Sequence, residues 1–547
     1  MPEPAQHQRT RLAFVLCVAT VALIGFGLRL ANLVDTADSP FFTRPVIDGQ
    51  AYDKWAQEII AGKSSAEPFY QDPLYPYFLA GIYRVFGHNY HAVYVIQFLL
   101  GIGLLFLVLD TTRLLFGRLA AVVAMLVAAL YKPFLFYEVQ IEKTALAVFL
   151  AGLFVWFMTR SLRETRSLLW PFAAGIALGL AALTRANLLL FGPVLLVALA
   201  VRPALPAARA SSFGLRTSLA ALVGLVLVIA PVSIRNSILA REFVLTTTQA
   251  GQNFYIGNNP YNNTGQYQAP PWVRANPRFE QTDFAEYART TSGKHLSYAG
   301  ISRFYFKAAF DWMRKHPADF ARLLWRKTVL YFNDFEVPDN QDLYFFSRYS
   351  WVLRLPLFSF GLVFGLGLAG MVLTGWRTRS RFSLTLFFFV YALGVIAFFV
   401  FSRYRVPSLA ALIPFAGGMV AWLCDQVRIG LNRTRLSQAL GGLALAAAAF
   451  LATTYPVERG KGRLVTAQSL VNLGSQYYTE GDTARSIATF REALDVLPGH
   501  PAALRTLGII EFYRGNLDSA LANLVNAMIS DSTDPVTYHY IGKTYER

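Results

Sequence analysis

Residues 12–34 read LAFVLCVATVALIGFGLRLANLV, an apolar run long enough to cross a membrane as a single helix. Similar runs recur along the chain as far as about residue 455. In composition, 54% of the residues are hydrophobic and only 15% are charged, which is not typical of a soluble globular protein. The first run lacks a small-residue cleavage site, so we expect it to remain as an anchor. The sequence therefore predicts an all-α polytopic membrane protein.

The apolar runs predict about eleven membrane-spanning helices, and the arginines between them predict an orientation. The expected spans are residues 12–34, 91–115, 118–136, 143–161, 168–184, 187–201, 217–234, 355–374, 382–401, 408–427 and 437–454. Every second connection is short and rich in arginine, for example WRTRSR at 376–381. Such connections stay in the cytoplasm, so we expect a cytoplasmic N-terminus in a bacterial inner membrane. The net charge of +17 follows from this pattern and does not indicate a nucleic-acid partner.

The opposite face is expected to carry the long connections, which are loop one at 35–90 and a large loop at 235–354. Long structured segments on one side of a helical bundle are where binding and catalysis usually occur. We therefore predict that residues 1–454 form one membrane domain whose functional site lies on the periplasmic or extracellular side.

A repeat distinguishes the C-terminal tail. Gly474, Gly508 and Gly542 recur every 34 residues in similar contexts, as do Ala493 and Ala527. This spacing resembles the tetratricopeptide repeat, a helix–turn–helix unit. We predict a linker at 455–466 and a repeat region at 467–547, with two full repeats and a capping helix. Such arrays bind peptides or partner proteins, and the alternative is a small domain that only packs on the membrane part.

Loop one contains VIDGQAYDKWAQEI at 46–59, which places carboxylates just outside the first span. The pattern predicts an amphipathic helix at 49–61 along the membrane interface, with Asp48 at its N-cap, where an aspartate contributes about 1 kcal/mol. Asp53 and Glu58 are expected to face solvent. A helix cap accounts for Asp48 by itself, so a functional role depends on the other residues that share its side of the membrane.

The connection YKPFLFYEVQIEKTAL at 131–146 reaches the same predicted face and carries Glu138 and Glu142. Glu142 opens the fourth span, where an unpaired carboxylate is costly and usually functional. An ion pair with Lys132 or Lys143 is the alternative.

Two arginines on the predicted outer side break the positive-inside pattern. Arg403 and Arg405 flank Tyr404 in FSRYRVP at 401–407. A pair of guanidinium groups beside the membrane is well suited to hold a phosphate or a lipid phosphate. The alternative is that both side chains snorkel to the interface.

Together these motifs resemble the family 39-like glycosyltransferases of the GT-C fold, which include the protein O-mannosyltransferases and the lipid A aminoarabinose transferase. The resemblance covers about residues 10–430 and rests on the order of four features. They are an aspartate that heads a helix in loop one, PLYPYFLA at 73–80 leading to FG, an acidic residue that opens span four, and RYRVP at 403–407. The resemblance implies membrane lipids as surroundings and a polyprenyl-phosphate sugar as donor.

By the same resemblance, a sugar would pass to an acceptor hydroxyl on the outer face in a single displacement with inversion. Asp48 matches the family's loop-one aspartate and would be the general base, while Glu142 would bind the acceptor or sugar or assist the base. Cations would stabilise the departing phosphate. The remaining candidates are Arg403, Arg405 and Tyr404 for the phosphate, and Glu138, Asp72 and Lys327 as additional residues.

The chain departs from the protein mannosyltransferases in loop one, where their aspartate is followed directly by a glutamate but Asp48 is followed by Gly49. This departure argues against a protein acceptor, and lipid, glycan and protein acceptors all stay open. The sequence has no cluster of histidines and cysteines, so a divalent metal is possible but not indicated. Lys327 lies on a charged helix face that explains it equally well without a phosphate.

Two other functions compete with sugar transfer from a monophosphate. An oligosaccharide polymerase or ligase that uses diphosphate-linked glycans shares many spans and sometimes a repeat tail, but usually carries its catalytic arginines in a large late loop. A transporter, or a membrane scaffold for the repeats, is the non-enzymatic alternative. Transporters place charged residues near the middle of spans, whereas the ionisable residues here cluster at the predicted outer edge.

Overall fold

The structure is a computed structural model that describes residues 4–63, 65–164, 167–200, 207–274, 277–430, 432–457, 460–532 and 534–547. Residue 201, where the sixth predicted span ends, and residues 458–459 of the predicted linker lie outside these ranges. The predicted all-α class is confirmed, because helices make up the regular structure and a single β-bridge joins Tyr131 to Phe358.

Eleven apolar helical segments of the described chain coincide with the predicted spans. Seven are long and apolar enough to cross a membrane, namely Thr10–Thr36, Tyr90–Phe116, Thr144–Arg163, Gly214–Ala240, Arg379–Ile396, Ser402–Arg428 and Arg433–Thr453. Four are shorter, namely Arg118–Ala129, Leu169–Thr184, Ala186–Ala200 and Phe360–Thr374. The number that crosses the bilayer, and the side on which each loop lies, stay predictions.

Two predicted spans end earlier than expected, and the backbone beyond each end bonds to a distant segment of the chain. The helix expected at 118–136 stops at Ala129, and a separate helix, Lys132–Glu138, starts after the bridge to Phe358. The helix expected at 382–401 stops at Ile396. Beyond it, the N–H of Val400 donates to the carbonyl of Gly265 at 2.9 Å. Backbone groups given up by these helices therefore bind other segments of the protein, as irregular backbone near a membrane requires.

The long connections fold into shorter helices that cover one end of the bundle. These helices are Asp48–Ile60, Leu74–Phe86, Ala250–Gly257, Pro277–Ser292, Tyr298–Lys315, Pro317–Phe332, Leu343–Phe346 and Trp351–Arg354. One hydrophobic core runs from the membrane-type helices into them. We call this end of the bundle the loop face.

The tail forms five helices, Gly460–Thr479, Thr483–Val496, Pro501–Tyr513, Leu517–Ser530 and Pro535–Glu546. The first begins inside the predicted linker. Gly474 lies against Phe490 and Gly508 lies against Leu524, and a Cβ at position 508 would come within 2.6 Å of Leu524. Glycine thus permits the same close helix approach at positions 34 residues apart, and the assignment of these helices to tetratricopeptide repeats stays a prediction.

The first helix pair of the tail packs on the loop face. Leu470 and Phe490 belong to one buried cluster with Phe41, Phe136 and Phe346. Two ion pairs flank the cluster, Arg44–Glu480 at 3.1 Å and Arg348–Glu492 at 2.6 Å. The tail therefore docks on the membrane part, and binding of a further protein partner stays a prediction.

Candidate active site

A cavity of about 520 Å³ opens in the loop face, and we call it the main cavity. Its lining has a charged part and an apolar part. The charged part comprises Asp48, Asp72, Lys143, Arg185, Glu280, Asp339 and Arg403, and the apolar part comprises Leu190, Val395, Phe398, Phe399 and Phe401. The cavity therefore suits a ligand that has both a polar head and an apolar chain.

Arg403 is the centre of the charged part, where it joins three carboxylates from three different segments. Its Nη2 donates to Asp48 Oδ2 at 2.9 Å, and its Nε lies 2.5 Å from Asp339 Oδ2. Its Nη1 donates to Glu142. Only 6% of Arg403 is exposed, so this cluster is an enclosed set of three ion pairs, of which those to Asp48 and Glu142 are also charge-assisted hydrogen bonds. The predicted neighbours Asp48, Glu142 and Arg403 are thus brought together.

Asp48 is not the helix cap that the sequence allows. It is the first residue of the helix Asp48–Ile60, Ile47 takes the capping position, and no side chain caps the helix. Ile47 has a φ of 52°, which is strained for a β-branched residue, and such strain concentrates at functional sites. The strained backbone starts the helix at a point where the carboxylate of Asp48 meets Arg403.

Gly49 explains why loop one lacks a second adjacent carboxylate. A Cβ at this position would lie 2.8 Å from the backbone carbonyl of Ile141, so a larger residue would push the helix away from the neighbouring segment. That segment continues directly into Glu142. Close contact at Gly49 therefore lets Glu142, rather than residue 49, supply a carboxylate to the cluster.

The surroundings of the cluster shift the pKa values of Asp48 and Asp339 in opposite directions. Burial opposes the ionisation of Asp48, but the positive charge of Arg403 and hydrogen bonds from Asn340 and Arg403 lower its pKa below the usual value. Burial raises the pKa of Asp339 to about 7, with Asp48 and Glu142 adding to the effect and Arg403 opposing it. Asp48 is therefore ionised at neutral pH, while Asp339 exchanges a proton near it.

The raised pKa of Asp339 predicts a pH dependence of stability. Between an unfolded pKa of about 3.9 and the folded pKa of about 7, the folded protein binds the extra proton, so the free energy of unfolding falls as pH rises. Asp339→Asn should flatten this fall in thermal unfolding between about pH 5 and pH 8 in nanodiscs. The exposed Asp38→Asn serves as control, and a slope unchanged in Asp339→Asn would contradict the assignment.

Asp53 is buried, which corrects the expectation that it faces solvent. Its carboxylate accepts hydrogen bonds from Tyr83 Oη at 2.6 Å and Tyr90 Oη at 3.0 Å, and it lies 2.8 Å from His88 Nε2. Asp53 therefore fastens the helix Asp48–Ile60 to Leu74–Phe86 and its following turn. Glu58 is partly exposed and lies 3.8 Å from Lys54.

Arg405 does not line the main cavity, so the structure does not support it as a phosphate ligand. It is fully buried, pairs with Glu336 at 2.8 Å, and stacks over Phe360 at 3.9 Å. It also donates to the carbonyl of Tyr331 at 3.1 Å. These contacts hold the large loop against the membrane-type helices.

Two other candidates also have structural partners away from the main cavity. Glu138 pairs with Arg29 at 2.9 Å inside the bundle. Lys327 is fully buried and donates to Asn258 at 2.8 Å, and burial lowers its pKa to about 7. Neither side chain reaches a ligand in the cavity.

Tyr404 and Asp72 do line the main cavity. The ring of Tyr404 has the guanidinium of Arg185 at 4.8 Å and that of Arg403 at 5.1 Å. Asp72 pairs with Lys143 at 2.7 Å. Both candidates are thus placed to shape the charged part of the cavity.

Three cavity residues were missed by sequence reasoning. Arg185 is the single residue between the helix Leu169–Thr184 and the 3₁₀-helix Ala186–Phe191, so in the sequence it resembles an interruption between two spans. Asp339 lies among turn residues of the large loop, and Glu280 lies on a polar helix, where it accepts from Tyr70 at 2.9 Å and Tyr267 at 2.7 Å. Only the contacts made by the folded chain distinguish these residues from ordinary loop charges.

The described residues contain no group of three histidine, cysteine, aspartate or glutamate side chains placed to hold a metal ion. In the charged cluster, the guanidinium of Arg403 lies between the carboxylates. A side-chain cation therefore occupies the position between these carboxylates, and the described residues do not form a metal site.

Residues 67–234 match the model of a family described as dolichyl-phosphate-mannose-protein mannosyltransferase. No curated protein matches the chain at a significant level.

Among solved structures, the chain is similar to the oligosaccharyltransferase AglB from Archaeoglobus fulgidus, solved with an inhibitory peptide and a dolichol-phosphate. The identity is 15%, the TM-score is 0.44, and the match covers 84% of this chain and 58% of that one. The chain therefore spans less than two thirds of that relative. A second match is ArnT from Cupriavidus metallidurans bound to undecaprenyl phosphate, with 16% identity, a TM-score of 0.42 and coverage of 97% and 77%. Over residues 67–234, the family match confirms the predicted resemblance to the protein mannosyltransferases.

Proposed function

We propose that the protein transfers a sugar from a polyprenyl-phosphate donor to an acceptor hydroxyl in the main cavity, on the face away from the cytoplasm and with inversion. The observation that carries this proposal is the two-part lining of the cavity. Apolar side chains of two membrane-type helices and of the segment that follows Ile396 line one part, and an enclosed set of carboxylates and cations lines the other. The matching family, described by its dolichyl-phosphate-mannose donor, supports the same donor class.

Asp48 is the proposed general base. Its carboxylate lines the cavity and is ionised at neutral pH. The acceptor oxygen forms a bond to the anomeric carbon as the bond from that carbon to the phosphate oxygen breaks, and the acceptor proton passes to Asp48. A base with a lowered pKa holds a proton weakly. Asp339 pairs with the same guanidinium as Asp48 and has a pKa of about 7. It is therefore the proposed next acceptor of the proton.

Arg185 is the proposed ligand of the donor phosphate. Arg403 already bridges three carboxylates, which leaves it little capacity for an anion. Arg185 Nη2 donates to Thr144 Oγ1 at 2.9 Å, while its buried Nε has no hydrogen-bond partner among the described residues. A guanidinium with spare donors in an enclosed site stabilises the negative charge that grows on the leaving phosphate.

The position of Arg185 also fits an amphiphilic donor. The 3₁₀-helix Ala186–Phe191 follows it directly and carries Leu190 into the cavity lining beside Val395 and Phe398. A polyprenyl chain would lie along these apolar side chains while its phosphate meets Arg185. The sugar would then point towards the carboxylates around Arg403.

The test uses the full chain in nanodiscs with a panel of radiolabelled polyprenyl-phosphate sugars. We expect the parent to consume one of these donors. Arg185→Gln removes hydrogen bonds from a charged donor, so the KM for that sugar donor should rise about 10- to 100-fold.

The exposed Arg216→Gln is the matched control, since it removes the same charge outside the cavity. Failure of the parent to consume any donor would refute the proposed function. An unchanged donor KM in Arg185→Gln, with an active parent, would instead refute only the assignment of the phosphate site.

A further inference from the structure

Three arginines, Arg163, Arg377 and Arg381, gather at the end of the bundle opposite the loop face. The helix Tyr90–Phe116 fixes where this end lies. Its first residue donates to Asp53 on the loop face, and its 27 residues extend about 40 Å. The last turn of this helix, where the arginines lie, is therefore on the far side of the bundle from the main cavity.

Two of the arginines bind consecutive backbone carbonyls of that last turn. Arg163 Nη1 donates to the carbonyl of Leu114, and Arg381 Nη2 donates to the carbonyl of Leu115 at 2.5 Å. The guanidinium of Arg381 also lies 4.2 Å from the centre of the Phe116 ring. Because consecutive residues of a helix rise by only about 1.5 Å, the two guanidinium groups meet at one place.

The positive charge at this place is not balanced by a carboxylate. Arg377 and Arg163 are the charged groups that act most strongly on Arg381, and both repel it. Within the described ranges, none of the three side chains forms an ion pair. The carbonyl end of a helix supplies only about half a negative charge, so a helix cap alone leaves most of the positive charge unmatched.

The acidic side chains of the neighbouring helix ends are committed to other arginines. Asp110 pairs with Arg113 at 2.6 Å and with Arg160 at 2.7 Å, and Glu164 pairs with Arg160 at 2.7 Å. Meanwhile the buried Nε of Arg381 has no hydrogen-bond partner in the part of the chain that the structure describes. The three arginines therefore keep donors and charge for an anion from outside the chain.

Apolar side chains beside the arginines are left uncovered. Trp376, next to Arg377, is 71% exposed, and its ring lies 5.2 Å from that of Phe382. Val372 lies four residues before Trp376, which is about one helical turn, and is also exposed. Cations beside an exposed apolar strip complement an amphiphile that has an anionic head group and acyl chains.

We propose that Arg163, Arg377 and Arg381 bind the phosphate of an anionic phospholipid whose acyl chains lie along Trp376 and Val372. The positive-inside pattern accounts for arginines at this end, but not for their convergence on the last turn of one helix. A free phosphate carries the same charge but would make no use of the apolar strip. This site is separate from the main cavity, and the inference goes beyond the proposed function.

The test measures lipid binding to the full chain by native mass spectrometry from detergent micelles. Phosphatidylglycerol is the anionic probe and phosphatidylcholine is the zwitterionic one. We expect phosphatidylglycerol to bind saturably and about tenfold more tightly than phosphatidylcholine. Arg381→Gln removes hydrogen bonds from a charged donor, so the dissociation constant for phosphatidylglycerol should rise about tenfold. Arg381→Lys keeps the charge and should recover part of the loss.

The matched control is Arg428→Gln, which removes an exposed charge at the end of another membrane-type helix, Ser402–Arg428. It should leave the dissociation constant unchanged. Thermal unfolding without added lipid shows whether each variant is folded. Arg163→Gln repeats the test at an exposed member of the site if Arg381→Gln does not fold.

Three results would overturn the inference. The first is equal binding of the two phospholipids by the parent. The second is binding of phosphatidylglycerol that both Arg381→Gln and Arg163→Gln leave unchanged. The third is displacement of the lipid by an equal concentration of inorganic phosphate, which would show that the site takes a free anion. Sugar transfer is tested separately by the panel of donors, so failure of either proposal leaves the other standing.

Discussion

Asp48→Asn should lower the rate of sugar transfer by about 10²- to 10⁴-fold, the usual contribution of a positioned general base. The amide keeps the size of the carboxylate and an oxygen that accepts from Arg403, so the 2.9 Å hydrogen bond is retained. It cannot take the acceptor proton. The positive charge of Arg403 remains balanced by Glu142 and Asp339. The loss should therefore appear in kcat, with folding preserved.

The measurement is the initial rate of transfer from the donor that the parent consumes, together with thermal unfolding of both proteins. Asp38→Asn is the matched control, since it makes the same change at an exposed position of the chain. Full activity in Asp48→Asn would show that Asp48 serves only to bind Arg403. Asp339, which shares that guanidinium and has a pKa of about 7, would then be the next candidate base.

The membrane-type helices can be predicted from the sequence because each depends on a local run of apolar residues. An apolar run such as residues 12–34 has to form a helix in a bilayer, whatever its neighbours are. The residues at which these helices end cannot be predicted in the same way. The stop at Ile396 depends on a hydrogen bond from Val400 to Gly265, more than 100 residues away, and no local pattern encodes that contact.

The same distinction separates the site residues that were predicted from those that were missed. Asp48, Glu142 and Arg403 stand out because charge beside an apolar segment is unusual. Arg185 falls between the predicted spans 168–184 and 187–201, where its charge is expected for any connection between spans. Arg405 has the same sequence signal as Arg403, yet it pairs with Glu336 outside the main cavity. Arg403 and Arg405 lie on the same short helix, and its orientation decides which of them lines the cavity. That orientation depends on tertiary packing.

Arg403→Met should destabilise the fold more than any other single change at the site, by about 3–5 kcal/mol in the free energy of unfolding. The methionine fills similar space but leaves Asp48, Glu142 and Asp339 buried together without their shared cation. The three carboxylates would then repel one another in a medium of low polarity. Arg403→Lys should recover only part of the loss, because a single ammonium group cannot donate to three carboxylates from the same position.

The pH dependence of the Arg403→Met defect distinguishes charge repulsion from poor packing. Without the cation, the folded pKa values of the carboxylates rise, so the folded state gains protons as pH falls and its stability recovers. Thermal unfolding in nanodiscs should therefore show a smaller difference between Arg403→Met and the parent at about pH 5 than at about pH 8. Arg216→Met, at an exposed position, controls for loss of an arginine. A defect of equal size at both pH values would mean that Arg403 stabilises the protein by filling space, and the three carboxylates would then have to be held apart by contacts other than its charge.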